Sequence, residues 1–469
     1  MSTAAASPTH PSLLGAAPEP YWFDDGQRPE QLPALSGDVR ADLVVVGGGY
    51  LGLWSALIAA EREPGRDVVL VEQDTCGHAA SGRNGGFCEA SLTHGLGNGL
   101  ARWPDEMGTL LRLGRENLDA IEAAVARYGI DCDCVRTGAL SVATAPHHLE
   151  DLDQEVAAAA RLGHRLGRLD PAQTRARVDS PRFLGATFDP DCALVEPARL
   201  AWGLRAACLA AGVRIFEGTT ATGVRRTGSV LEVGTRAGTV RADRVVLATN
   251  AFRPLLRRLR LMTVPVYDYA LMSAPLDAEQ RLAIGWDGRE GVSDRTNQFH
   301  YFRTTRDGRI LWGGYDAIYH YGSRRQPSYE QRPATFDVLA ANFFATFPQL
   351  EGLAFTHRWG GVIDTCTRFV AFHGTAYDAR LAYALGFTGL GVGATRFAAE
   401  VALDQLSGTE TERTALRLVR EKPLPFPPEP FRWGGIQATR WSLARADADE
   451  GRENLWLRTM DRLGLGFDS

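Results

Sequence analysis

The sequence predicts an α/β protein of two interleaved domains, one built on a doubly wound, largely parallel sheet and the other an α+β unit on an antiparallel sheet. Three observations predict it. A β-branched run at 42–46 passes through clustered glycines into an apolar helical stretch ending near Ala60, and a second short strand at 68–72 closes a β-turn-α-β unit of about 30 residues. The strand, glycine-rich turn and helix pattern returns at 356–408, far along the chain. Between these, 264–273, 298–305 and 310–315 read as strands of a second sheet.

Taken in order, residues 1–20 are rich in Ala, Pro and Ser and read as disordered. Helical periodicity marks 105–128, 149–166 and 200–211, while 213–249 alternates short strands with turns and ends in a buried-looking strand at 244–248. The proline-rich stretch 423–430 reads as a linker, and 431–469 as a polar, Trp-bearing tail. The expected partition is 38–100, 190–262 and 356–412 in the first domain, 101–189 and 263–355 in the second, and 413–469 as an extension.

Composition excludes several classes. With 51 basic and 56 acidic residues the net charge is −5, and no dense basic stripe is present to neutralise a nucleic-acid backbone. Of the basic residues only Lys422 is a lysine, and the other 50 are arginines. Seven scattered cysteines do not form a disulfide framework, and the Cys132, Cys134 pair lacks the second pair a zinc site needs, so no metal is expected. The apolar run at 43–60 is broken by Gly47, Gly48, Gly49 and Gly52, which suits a strand and tight turn rather than a membrane span. No signal-peptide pattern is seen, and a cytoplasmic location is the expectation.

The turn carries chemistry. Gly47, Gly49 and Gly52 form G-x-G-x-x-G between strand and helix: Gly47 for the sharp turn, Gly49 for close approach of a pyrophosphate, Gly52 for helix packing, with Tyr50 and Leu51 at the helix start. Free N–H groups and the positive dipole end of that helix suit phosphates. Glu72, 20 residues after Gly52, can accept hydrogen bonds from ribose hydroxyls, with Gln73 beside it; an acid there disfavours a 2′-phosphate. This unit alone leaves NAD and FAD open.

The loop Ser81, Gly82, Arg83, Asn84, Gly85, Gly86 and the segment Gly389, Leu390, Gly391, Val392 resemble the FAD-dependent amine and amino acid oxidases, the family of D-amino acid oxidase, glycine oxidase and sarcosine oxidase. The SGRNGG loop, Tyr21 with Trp22, Tyr301 to Arg303, and Trp359 with Gly360 and Gly361 look most like its gamma-glutamylputrescine oxidoreductase branch. The resemblance implies a FAD-binding Rossmann-like domain of glutathione-reductase type interleaved with an antiparallel-sheet substrate domain. It implies non-covalent FAD with its pyrophosphate on the 47–52 turn, its ribose on Glu72 and its adenine edge near Ala221. The ribityl chain and ring would meet 81–86, and the pyrimidine side 389–392, where a helix opening at about Thr395 aims N–H groups at the ring.

For the chemistry, strand alternation puts Tyr301, Arg303 and Thr305 on one face, where Arg303 is either a fork for a substrate carboxylate or one of many ordinary arginines. Tyr267 and Tyr269 share a face, as an aromatic wall shielding a neutral amine or as half-buried strand tyrosines. The sarcosine oxidases it resembles place an oxygen-activating lysine where this chain has Trp312, and Lys422 sits in the linker; His300 or His357 are the substitutes at hand. Cys366 lies near the family's flavin-linking cysteines but out of register. The implied reaction is hydride transfer from an amine or amino acid C–N carbon to flavin N5, hydrolysis of the imine to an aldehyde or keto product, and reoxidation by O2 to H2O2. The alternative is a dehydrogenase using another acceptor.

Overall fold

Residues 9–465 are described in a computed structural model. The chain opens the first sheet with β1 (Val39–Val46), turns through the glycines into α1 (Tyr50–Arg62), and returns in β2 (Val68–Val71). A single helical turn, α2 (Ala80–Arg83), leads into β3 (Phe87–Glu89) and the long α3 (Met107–Tyr128), which Gly129 ends in the left-handed conformation at φ +61°. Next come β4 (Ala139–Ala143), α4 (His148–Arg161), β5 (Gly167–Leu169), β6 (Gly185–Asp189), β7 (Cys192–Leu194) and α5 (Pro197–Ala210). The strands β8 (Arg214–Phe216), β9 (Ala221–Thr227), β10 (Val230–Thr235) and β11 (Thr239–Leu247) return to the first sheet.

The second sheet is completed by β12 (Val264–Ser273), β13 (Gly291–Asp294), β14 (His300–Thr304) and β15 (Ile310–Gly314), then α6 (Pro333–Thr346) and β16 (Phe355–Thr365). The chain crosses back through β17 (Phe372–Ala376), β18 (Leu381–Leu385) and α7 (Gly391–Ser407), and ends in α8 (Phe431–Ala448) and α9 (Leu455–Arg462).

The first sheet has the order β17-β18-β11-β1-β2-β8, with β10 and β9 branching from β11; β8, β2, β1, β11 and β18 are mutually parallel. β1 and β2 are fully buried at Leu43 to Val45 and Val68 to Leu70, as expected for parallel strands covered on both faces. The second sheet runs β16-β12-β15-β14-β13-β4-β6-β5 and is antiparallel except at β13 with β4. The first sheet has a core on each face and the second sheet has one, and a fourth cluster containing Trp22, Trp202, Ala270, Leu311 and Trp359 fills the junction between them.

Several expectations are corrected. The strand Phe355–Thr365 pairs along its whole length with β12, so it belongs to the second sheet although the 356–412 segment was assigned to the first domain. Met107, Leu110, Leu118 and Ile121 of α3 join the core beneath α1 and α7, so this helix packs on the first sheet although 101–189 was assigned to the second domain. Disorder was expected through residue 20; residues 1–8 lie outside the described residues, but from Thr9 on the segment is ordered. Thr9 and His10 donate to Asp337, Leu13 is buried in the core of the second sheet, and Trp22 is 4% exposed in the junction. The tail is largely helical, and α7 begins at Gly391, four residues before the expected start. Among the described residues all seven cysteines are free thiols, and no helix is long and apolar enough to cross a membrane.

Candidate active site

One cavity of about 1080 Å³ runs between the two sheets and under α8. At one end it begins on the turn into α1, where Gly49, Tyr50 and Leu51 form its wall. Gly52 is required there by close approach: a Cβ would stand 1.8 Å from the Gly47 carbonyl oxygen. Glu72 closes the turn from behind, its Oε2 accepting from the Gly48 N–H at 2.6 Å and its Oε1 from the Asp74 N–H at 2.9 Å, while burial raises its pKa. Gln73 is exposed beside it, and the Thr219 N–H donates to the Glu72 carbonyl, which brings the start of β9 at Ala221 to this end.

The 81–86 loop is held from several sides. Ser81 Oγ accepts the Tyr50 N–H at 2.9 Å, and Asn84 braces the turn through the carbonyls of Ala80 and Ser81 and the N–H of Gly86. Two indoles fix its outer carbonyls: Trp359 donates to Arg83 at 2.9 Å and Trp22 to Asn84 at 3.0 Å. Arg83 pairs with Glu330 at 2.5 Å. Ser81, Arg83, Asn84 and Gly85 face the cavity; Gly82 and Gly86 pack away, against the carbonyls of Gly77 and Val195.

At the far end Gly389, Leu390, Gly391 and Val392 line the cavity where α7 starts without a side-chain cap, leaving its first N–H groups free. Asp364 positions this turn, accepting from the N–H of Gly386 and, at 3.2 Å, from that of Phe387. Burial pushes the Asp364 carboxyl up to about 7. A helix N-terminus at each end of one cavity, uncapped at α7 and with only its Tyr50 N–H taken by Ser81 at α1, is a donor set that fits a dinucleotide with a pyrophosphate at one end and an electron-rich ring at the other.

The second sheet supplies the opposite wall. Tyr301 of β14 lies between two glycines, since a Cβ on Gly85 would stand 2.8 Å, and one on Gly313 2.4 Å, from its ring. Its hydroxyl donates to Asp268 Oδ2 at 2.6 Å. Burial, then Asp268, holds the Tyr301 pKa well above its ordinary value, so it remains the donor. Burial pushes Asp268 up to about 6 against the opposing Tyr301 hydrogen bond. This carboxyl was not anticipated, although period-two alternation in 265–269 places it opposite the two tyrosines that were.

Of the five residues expected to carry chemistry, Tyr301 presents its side chain to the cavity. Tyr267 is corrected: β12 turns Val264, Val266, Asp268 and Ala270 to the cavity and packs Tyr267 in the core beneath, while Tyr269, also in that core, reaches the cavity wall. Tyr269 borders the wall but donates its hydroxyl to the Tyr329 carbonyl. Arg303 is corrected as well, being fully buried, donating to the Val195 carbonyl at 2.6 Å and lying 4.0 Å from Asp133. Trp312 pairs across the sheet with Phe302 and packs among Phe343 and Phe347, while Gly313 beside it faces the Tyr301 ring and Gly314 lines the cavity.

Lys422 does not line the cavity; its ammonium donates to the His373 carbonyl, and burial lowers its pKa to about 8. His300 stacks on Trp312 and donates to or accepts from Asn342, outside the cavity wall. Cys366 is buried, its thiol directed at the Val370 carbonyl at 3.2 Å. The extension, read as a polar tail, instead closes the cavity: Ile436, Arg440, Leu443, Trp456 and Met460 line it. Arg440 reaches Asp316 at 3.2 Å, and Asp447 accepts from the N–H groups of Asn297 and Gln298.

The sequence pattern of the FAD-dependent oxidoreductase (DAO) family matches residues 42–405. The chain is 30% identical over 412 residues to the gamma-glutamylputrescine oxidoreductase of Escherichia coli strain K12, covering 86% of this chain and 92% of that protein. It is 26% identical over 398 residues to the probable oxidoreductase OrdL of Haemophilus influenzae, covering 83% and 88%. The crystal structure of glycine oxidase from Geobacillus kaustophilus superposes with a TM-score of 0.67 at 21% identity, over 80% of this chain and 96% of that one.

Proposed function

This chain belongs to the DAO family of FAD-dependent oxidoreductases, and on that premise we propose that it oxidises the C–N bond of an amine or amino acid held between its two sheets. The observation that carries the reading is the single cavity joining the two helix N-termini to the Tyr301 and Asp268 pair. Bound FAD supplies the acceptor for the hydride leaving the carbon next to nitrogen. The 47–52 turn and Glu72 would hold its pyrophosphate and ribose end, and the N–H groups of Gly391 and Val392 would donate toward its ring.

Asp268, ionised above about pH 6, takes a proton from the entering ammonium at Oδ2, so that nitrogen presents a lone pair. Tyr301 holds that carboxylate in place, and the apolar side chains of α8 exclude water. The imine product hydrolyses to an aldehyde or keto compound and ammonia or a smaller amine.

Oxygen as acceptor, giving H2O2, and a different acceptor are both compatible with this site. One observation favours the second: no lysine ammonium lines the cavity. Mixing an amine panel with the flavoprotein without air tests the substrate class, since failure of every amine to bleach the flavin contradicts it. Admitting air tests the acceptor: reduced enzyme that persists for minutes identifies a dehydrogenase.

A further inference from the structure

We infer that the cavity continues into a cation-binding subsite at Glu89, and that the substrate carries a second ammonium group remote from the carbon oxidised. This rests on the amine reading above. In β3 the alternation turns Phe87 and Glu89 to the cavity and buries Cys88. Phe87 meets Tyr301 edge-on at 5.9 Å, so Glu89 stands one strand step, about 7 Å, beyond the ring next to Asp268.

The Glu89 carboxyl makes no hydrogen bond and no ion pair among the described residues, and burial followed by the charge of Asp189 raises it to about 7. The other carboxylates of the wall have partners: Asp268 has Tyr301, Asp316 has Arg332, Glu155 has Arg295, and Asp189 has His164. Asp191, beside Glu89 across the β3 and β7 pair, is 3% exposed and is ion-paired through its Oδ1 with Arg165 at 3.5 Å and Arg136 at 3.7 Å. Of these carboxylates only the half-buried Glu89 lacks a partner among the described residues, and at one end of a substrate cavity it marks a place where a ligand supplies the positive charge.

Arg115 of α3 also lines this end and forms no ion pair with Glu89 among the described residues. It makes a remote carboxylate the competing ligand and fixes the control.

The test compares an α,ω-diamine, the monoamine of equal carbon number and the corresponding ω-amino acid in the anaerobic reductive half-reaction of the FAD-loaded enzyme, for wild type, E89Q, E89D and R115A. Expected for wild type is a preference for the diamine of about ten- to hundredfold in apparent Kd, the size of one charge-assisted hydrogen bond. E89Q removes this preference through Kd rather than the limiting rate, and E89D restores part of it. Equal loss for diamine and monoamine in E89Q overturns the subsite, as does a wild-type preference for the ω-amino acid that R115A abolishes. If E89Q does not fold, wild-type selectivity decides, and indifference between diamine and monoamine overturns the inference. Failure of all three compounds to reduce the flavin overturns the amine reading itself, and the subsite with it.

Discussion

The hydroxyl of Tyr301 donates to Asp268 Oδ2 at 2.6 Å, from a ring pressed between Gly85 of the first domain and Gly313 of the second. One residue therefore ties the flavin-side loop to the wall that faces it. Asp268 is ionised above about pH 6, so kcat/KM for an amine rises through a limb near that value and falls off below it, where the protonated carboxyl cannot accept the substrate proton. D268N is expected to abolish the limb and lower kcat/KM by about 10²- to 10⁴-fold. A pH profile of the anaerobic reduction checks both.

Removing the Asp364 carboxylate releases the N–H groups of Gly386 and Phe387, and with them the turn that starts α7. D364A is expected to weaken FAD binding by about tenfold or more, a loss of roughly one to two buried hydrogen bonds. Release of flavin on dilution, followed by fluorescence, measures it.

Trp359→Phe keeps the aromatic packing but leaves the Arg83 carbonyl without its indole donor. The expected cost is about 1–3 kcal/mol. Denaturant unfolding of the FAD-loaded protein is the measurement, with retention of wild-type stability as the contrary result.

The extension is fastened by Asp447 to the backbone of Asn297 and Gln298. D447A is expected to raise KM for a small amine several-fold with a smaller change in the limiting rate, because the change loosens a wall of the cavity and leaves Asp268 and Tyr301 untouched. Steady-state KM and kcat separate the two effects.

The glycine turn at 47–52 was legible in sequence because a buried strand, a tight turn and a helix start are local features, and the acid at Glu72 follows from the same unit. The facing of β12, β14 and β15 was not. Alternation says that Tyr267 and Tyr269 share a side, but which side faces the first domain is decided by long-range pairing with β16 and by the core that α6 completes. The same non-local choice buried Trp312 and Arg303, turned Asp268 to the cavity and set Gly313 against the Tyr301 ring. Glu89 sits three residues past the recognisable 81–86 loop, but only the packing of β3 against β7 shows its carboxyl without a partner. Of the cap, α8 has no strong periodic apolar pattern to announce it, and α9, which is amphipathic, is only eight residues long.

The central claim, oxidation of an amine C–N bond on FAD between these two sheets, is tested most directly by anaerobic titration of the purified flavoprotein with members of the amine panel. The account predicts that a substrate amine bleaches the flavin stoichiometrically, with one aldehyde or keto group formed per flavin reduced. A flavin that stays oxidised with every amine and amino acid offered contradicts it.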